Sequence, residues 1–215
     1  MIADILSFTL PKIYPITDTA ISGLSHRDQV KQLIEGGATL IQLREKRATP
    51  RDFFQDAREA LRIAHSAEIK LIINDRVDIA LAVGADGVHL GQTDMPVEAA
   101  RRLLGDHAII GFSTHNLNQV AEAVRRSVDY LAFGPIFPTA TKENPDPIVG
   151  LNELNQIKKL VGSVPLVAIG GISADRVREV LMSGADSVAV ISAVLNQANP
   201  IAENLRNLQS LAISA

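Results

Sequence analysis

Short runs of β-branched and apolar residues recur eight times along the chain, each separated from the next by a segment of helical spacing. The runs cover residues 13–18, 39–46, 70–75, 87–91, 108–114, 130–137, 164–171 and 187–193. Most are continuously apolar rather than alternating, which is the pattern of strands buried on both faces of a parallel sheet. Between them, Leu117, Val120, Ala121 and Val124 fall on one helical face, as do Leu151, Leu154, Ile157 and Val161. Ser25, Thr49 ahead of Pro50, Asp94 ahead of Pro96, and Ser173 stand where helix N-caps are expected. A last helix is expected over residues 201–211. Three junctions look alike: GGATLIQL, VGADGVHL and SGADSVAV each end a helix on glycine and open a strand after a small residue. Such self-similarity marks a repeated strand–helix unit.

Eight such units in 215 residues predict an α/β chain folded as a single-domain (β/α)8 TIM barrel. An open doubly wound sheet is the alternative, but this number of parallel strands in this length suits closure better. The domain is expected to span residues 1–215, with residues 1–12 as an N-terminal extension and residues 133–150 as an active-site loop. A hydrophobic content of 47% is enough for one core. The net charge of −3 and the lack of a basic run argue against a nucleic-acid partner. With no cysteine there is no thiolate nucleophile and no Cys-based zinc site. Asp4 stands where a secretory leader would be positive, and no apolar stretch is long enough to span a bilayer. A cytoplasmic protein without a membrane partner is expected, and a homodimer is compatible with a barrel of this size.

In such a barrel the chemistry sits at the C-terminal ends of the strands, with phosphate often held after the last two. Reading those ends in order yields Asp18, then Gln42, Arg44 and Lys46, then Asn74 and Asp75, then Gln92 and Asp94, then Ser113, Thr114 and His115, then Thr139, Thr141 and Lys142, and finally Gly170, Gly171, Ile191 and Ser192. Gln42, Arg44 and Lys46 alternate with Leu43 and Glu45, so they share one face. Asp75 and Asp94 end adjacent strands, and two carboxylates plus substrate oxygens suit Mg²⁺, which keeps several waters. Each aspartate alone is also a good helix cap. Arg44, Lys46 and Lys142 form a candidate anion clamp; the plainer reading is a solvated rim paired with Glu45 or Glu143. Gly170-Gly171 and Ile191-Ser192-Ala193 supply backbone N–H groups for a phosphate. The stretch FGPIFPTATKENPDPIVG places Thr139, Thr141 and Lys142 on a long proline-rich loop, suited to phosphate, with its second half reading as a lid. His89, inside its strand, is expected to make a satisfied interior hydrogen bond. His115 is open between proton shuttle and helix cap.

The set IYPITD, IQLREK, IND, GVHLGQTD, GFSTH, FGPIFPTATK, AIGGI and VISA, one motif at each strand end and in this order, resembles the thiamine phosphate synthase family over nearly the whole chain. The resemblance implies a barrel enzyme, a transferase of thiamine biosynthesis. Its substrates would be hydroxymethylpyrimidine diphosphate and thiazole phosphate, and its products thiamine phosphate and diphosphate. Diphosphate would leave first, and the thiazole nitrogen would capture the pyrimidine-methyl cation. By the same resemblance Asp75 and Asp94 would hold Mg²⁺. Gln42, Arg44, Lys46, Asn74, Ser113 and Lys142 would contact the pyrimidine diphosphate, with Lys142, Arg44 and Ser113 as the catalytic groups. Thr139, Thr141, Gly171, Ile191 and Ser192 would hold the thiazole phosphate. Thiazole tautomerases share the barrel and carry a histidine at the place of His115, so an isomerase is the alternative enzyme. A non-catalytic binder of thiamine phosphate or a related anion is the alternative outside catalysis.

Overall fold

The computed structural model describes residues 9–142 and 144–213. The expectations for residues 1–8, including Asp4, and for Glu143 fall outside them. Strands β1 (Ile13–Asp18), β2 (Leu40–Arg44), β3 (Lys70–Asn74), β4 (Gly87–Leu90), β5 (Ile109–Thr114), β6 (Tyr130–Phe133), β7 (Leu166–Ala168) and β8 (Ser187–Val190) close in order into a parallel barrel. β1 completes the circle against β8, with Tyr14 opposite Ala189. The helices are α1 (Thr19–Ser22), α2 (His26–Glu35), α3 (Pro50–Ser66), α4 (Val77–Val83), α5 (Val97–Leu104), α6 (Leu117–Ala123), α7 (Gly150–Leu160), α8 (Val177–Met182), α9 (Ser192–Leu195) and α10 (Ile201–Ile213). The closed barrel, not the open sheet, is the architecture. Among the described residues no helix is long and apolar enough to cross a membrane.

The buried apolar side chains fall into two bodies because strand side chains alternate between faces. Outward-facing Ile41, Leu43, Leu71, Ile73, Val88, Ile110 and Val188 meet the helices in the larger one. Inward-facing Tyr14, Ile16, Leu40, Ile72, Ile109, Tyr130, Ala132, Val167 and Ala189 fill the barrel itself. Helix α3 shows how the outer layer is written. Thr49 accepts the Asp52 N–H as N-cap, Pro50 stands in the first turn, and Phe53, Ala57, Ala60, Leu61 and Ala64 are buried at helical spacing. Ser25 caps α2 in the same way through the Asp28 N–H.

Several expectations need correction. The strand beginning at residue 39 ends at Arg44 rather than Lys46, and the one beginning at residue 130 ends at Phe133. The latter still continues as isolated pairings, the Ile136 N–H to the Ile169 carbonyl and the Phe137 N–H to the Gly170 carbonyl. The last two strands are shorter than read, because Gly170 and Gly171 turn the chain at positive φ and Ser192 already begins α9. On α6 the buried residues are Val120 and Ala123; Ala121 is exposed and Leu117 is 44% exposed. This helix is short and begins beside Asn116, so Leu117 lies on its outer edge. Ser173 precedes a single 3-10 turn without a side-chain cap, its hydroxyl donating instead to Asp175.

At the N-terminal end of the barrel an unanticipated repeat appears. Asp86, Asp129 and Asp186 each precede an even-numbered strand and accept a main-chain N–H from the strand before it, of Leu71, Ile110 and Leu166 respectively. Each returns its own N–H to the carbonyl of that same residue. Cations close the clamps: Lys70 at Asp86, Arg101 at Asp129 and Lys158 at Asp186. Every clamp satisfies a strand-end donor that the ladder itself leaves open.

Candidate active site

The opposite end of the barrel holds two adjoining cavities of about 410 and about 950 Å³. The inner one is walled by Gln42, Asn74, Asp75, His89, Asp94 and Ser113. The outer one lies over Pro138, Ala140, Gly171 and Ser173. Arg44, Lys46, Thr139, Thr141, Lys142, Gly171 and Ser192 border both. Ile191 borders the inner one. The residues anticipated from the strand ends therefore reach one mouth although they come from all eight strands or the loops after them, except Thr114, which is buried and donates its hydroxyl to the Ala132 carbonyl.

Each cation of the anticipated clamp has a carboxylate partner. Arg44 pairs with Asp18, which is also the N-cap of α1 through the Ala20 and Ile21 N–H groups. Lys46 pairs with Asp75. Lys142 donates to Asp146 at 2.8 Å. The rim pairing anticipated with Glu45 is not the one formed. Glu45 turns away to accept from the Thr19 hydroxyl and the Arg47 N–H, and lies 3.3 Å from the buried His26. The reason is parity, since Glu45 projects opposite to Arg44 and Lys46.

Asp75 and Asp94 do not cap helices. The N-cap positions of α4 and α5 are Arg76 and Pro96, and neither makes a side-chain cap bond. Asp75 instead sits at φ 62°, a left-handed backbone unusual for a non-glycine residue. Asp94 accepts the Gly91 N–H at 2.7 Å. Its carboxyl is pushed up first by burial and then by the neighbouring Asp75, while the Gly91 N–H opposes the shift. Two carboxylates this close repel when both are charged, and a divalent cation relieves that repulsion. Among the described residues no group of three or more His, Cys, Asp or Glu gathers to hold a metal. A pair of carboxylates at a cavity is the donor set that suits Mg²⁺, which is held by one or two carboxylates plus water and substrate oxygens.

The loop after β6 is tied at its base by the Val149 N–H to the Pro135 carbonyl. Its middle is tied by Asp146, which holds Lys142 and lies 3.5 Å from His115 Nε2. His115 Nδ1 meets the Gly134 carbonyl at 2.7 Å, so both ring nitrogens serve the loop. Gly171, at φ +65°, shows why this junction needs glycine: a Cβ there would lie 2.2 Å from the Pro138 carbonyl oxygen.

Below the mouth, the expected interior hydrogen bond of His89 is present twice over. Nδ1 lies 3.0 Å from the Tyr130 hydroxyl and Nε2 lies 2.8 Å from Ser113 Oγ. Burial pushes this imidazole down to about 4. Tyr14, Tyr130 and Asp146 are site residues that the strand-end reading missed. The tyrosines were legible in principle: each shares its strand's inward parity, Tyr14 with Ile16 and Tyr130 with Ala132. No local signal marks Asp146.

With this geometry in place, comparison with known proteins is decisive. A profile of the family described as thiamine monophosphate synthase matches residues 13–194. The chain belongs to the thiamine monophosphate synthase family. It is accordingly an enzyme, a transferase. The thiamine-phosphate synthase of Chloroflexus aurantiacus is 46% identical over 201 residues, 93% of this chain and 92% of that protein. That of Clostridium novyi is 46% identical over 185 residues, 86% and 90% of the two chains. Among solved structures, the thiamine phosphate pyrophosphorylase from Pyrococcus furiosus is 37% identical with a TM-score of 0.84, covering 94% of this chain and 96% of that one. The resemblance read from the strand-end motifs is thereby borne out, and so is the barrel.

Proposed function

We propose that the mouth joins hydroxymethylpyrimidine diphosphate to thiazole phosphate, forming thiamine phosphate and diphosphate. One observation carries the reading: Arg44, Lys46 and Lys142 converge on one cavity, each already balanced by a carboxylate, and the partner of Lys46, Asp75, neighbours a further carboxylate, Asp94. A site balanced in this way accepts a polyanion by exchanging internal ion pairs for pairs with the ligand. Lys142 leaves Asp146 and Lys46 leaves Asp75, which frees Asp75 for a cation.

The step itself needs no strong base. The bond between the pyrimidine methylene carbon and the diphosphate oxygen breaks, and the electron pair leaves with the diphosphate. The thiazole nitrogen then donates its lone pair to the methylene carbon. Arg44 and Lys142 stabilise the charge that grows on the departing oxygens, the kind of contact worth most in the transition state. Bound at Asp75 and Asp94, Mg²⁺ would supply further neutralisation of the leaving diphosphate. Gln42, Asn74 and Ser113 orient the pyrimidine from the inner cavity. Thr139, Thr141, Gly171 and Ser192, which border both cavities, hold the thiazole phosphate, with Ile191 beside them on the inner one. The loop that carries Thr139 and Thr141 keeps water from the reactive cation.

The isomerase alternative needs His115 as a free proton shuttle, and its engagement with Gly134 and Asp146 argues against that role. The test is an assay with both purified substrates, with and without Mg²⁺, following coupled product. Lys142→Ala or Asp75→Asn should lower turnover by about 10²-fold or more, the usual size for one lost transition-state contact. Coupling that survives in the Asp75→Asn, Asp94→Asn double variant at the parent rate would remove the metal assignment. Product formed only by isomerisation, insensitive to chelator, would replace the synthase reading with the tautomerase. No turnover of either kind with trace protein would leave only the binder.

A further inference from the structure

Beneath the inner cavity a chain of hydrogen bonds crosses the barrel. Gln42 Nε2 donates to the Tyr14 hydroxyl at 3.1 Å, and the Tyr14 and Tyr130 hydroxyl oxygens are 3.1 Å apart. Tyr130 meets His89 Nδ1 at 3.0 Å, and His89 Nε2 meets Ser113 Oγ at 2.8 Å. Five strands contribute one residue each: β2, β1, β6, β4 and β5. Gly111 makes the room. A Cβ there would lie 2.1 Å from Tyr130 Cζ and 2.5 Å from His89 Nδ1. Gln42 and Ser113 border the cavity, whereas Tyr130 is fully buried under it.

We propose that Tyr14 and Tyr130 are positioning residues that lock the donor and acceptor character of Gln42 and Ser113 together, so that the two sides of the pocket are set as one unit. A hydroxyl carries one proton and so does a neutral imidazole. The chain therefore has two self-consistent directions, and reversing one link alone would set buried donor against donor. The amide nitrogen of Gln42 stands against Tyr14, which selects one direction. Tyr14 then donates to Tyr130, Tyr130 to His89 Nδ1, and the Nε2–H of His89 to Ser113 Oγ. Ser113 keeps its own hydroxyl proton for the ligand, and Gln42 keeps its carbonyl oxygen. The pocket so wired selects a heteroaromatic ring that donates an N–H towards Gln42 and accepts from Ser113. A ring of opposite polarity would have to reverse all the links at once.

Only the meaning of the two ends rests on the function proposed above; the wiring is tested without substrate. Nitrogen NMR of the full chain with isotope-labelled histidine reads the His89 tautomer, its signal being assigned by loss in His89→Asn. The parent protein should carry the proton on Nε2. Gln42→Glu, whose ionised carboxylate only accepts, should move it to Nδ1, although the altered residue does not touch His89. In a Tyr130→Phe background the same Gln42→Glu change should leave His89 unmoved. Tyr130→Phe alone keeps the ring that stacks on His89 and should mix the two tautomers. It should also lower kcat about tenfold with KM little changed, as for residues that orient a contacting group. A proton on Nδ1 in the parent, or a His89 tautomer indifferent to both Gln42→Glu and Tyr130→Phe, would overturn the proposal whether or not the enzyme couples the two substrates.

Discussion

His89 illustrates how one buried side chain ties function to acid stability. Its imidazole is lowered from an ordinary 6.5 to about 4 because burial penalises the charged form. The unfolded chain takes up that proton as pH falls through about 6.5, while the folded chain waits until about 4. Between those values the unfolded state binds more protons, so stability is fully present above the window and is lost on acidification through it. The shift corresponds to about 3 kcal/mol at most. Urea unfolding across this range should show a steep acid slope in the parent and a shallower one in His89→Asn. Equal slopes would mean that the imidazole is neither buried nor wired as described. At the same scale, His89 was readable from the sequence as an interior hydrogen-bonding residue, whereas its pairing with Tyr130 was not. A strand position announces that a side chain points inward, but not which residue from the far side of the barrel it meets.

Among the elements, the strand ends divide their labour. The C-terminal ends carry polar residues that a core would not choose, while the N-terminal ends carry the aspartate clamps. Asp86 is the case to test. Asp86→Ala strips the acceptor from the buried Leu71 N–H and should destabilise the chain by about 1–3 kcal/mol, the cost of an unsatisfied buried donor. Asp86→Asn keeps a carbonyl oxygen there and should recover most of that loss in chemical denaturation. Turnover should change little in either, because the clamp lies at the opposite end of the barrel. Helix starts at Ser25 and Thr49 were legible because a cap is a local event spanning three residues. Asp94 was misleading for the same reason: its spacing to Pro96 imitates a cap, but the Gly91 N–H lies closer to its carboxylate once the loop closes.

For the molecule as a whole, the site is a cluster of like charges held apart by cations, and that has a thermodynamic consequence. Any divalent cation bound at Asp75 and Asp94 in the folded chain only must raise its stability by mass action. At a hundredfold excess over Kd the gain is about 2.7 kcal/mol, visible as a rise in Tm. We expect Mg²⁺ to raise the parent Tm and to leave that of the Asp75→Asn, Asp94→Asn variant unmoved. The effect should weaken as pH falls, since the raised Asp94 carboxyl must lose its proton to bind. An identical Mg²⁺ response in both proteins would place the cation elsewhere.

The order of strands and helices, the closure into a barrel and most of the candidate residues that line the mouth were determined by the sequence itself. Hydrophobic period, caps and strand ends are local properties, and the rule that chemistry gathers at one end of such a barrel turns them into a list of candidates. Which carboxylate answers which cation was decided only by the tertiary structure. Asp146 reaches Lys142 and His115 through the course of a long loop, Asp18 meets Arg44 opposite it on the neighbouring strand, and Glu45 is lost to His26 by parity. Those pairings depend on where five or six backbone segments end in space, to within the length of a hydrogen bond. No spacing along the chain encodes that distance.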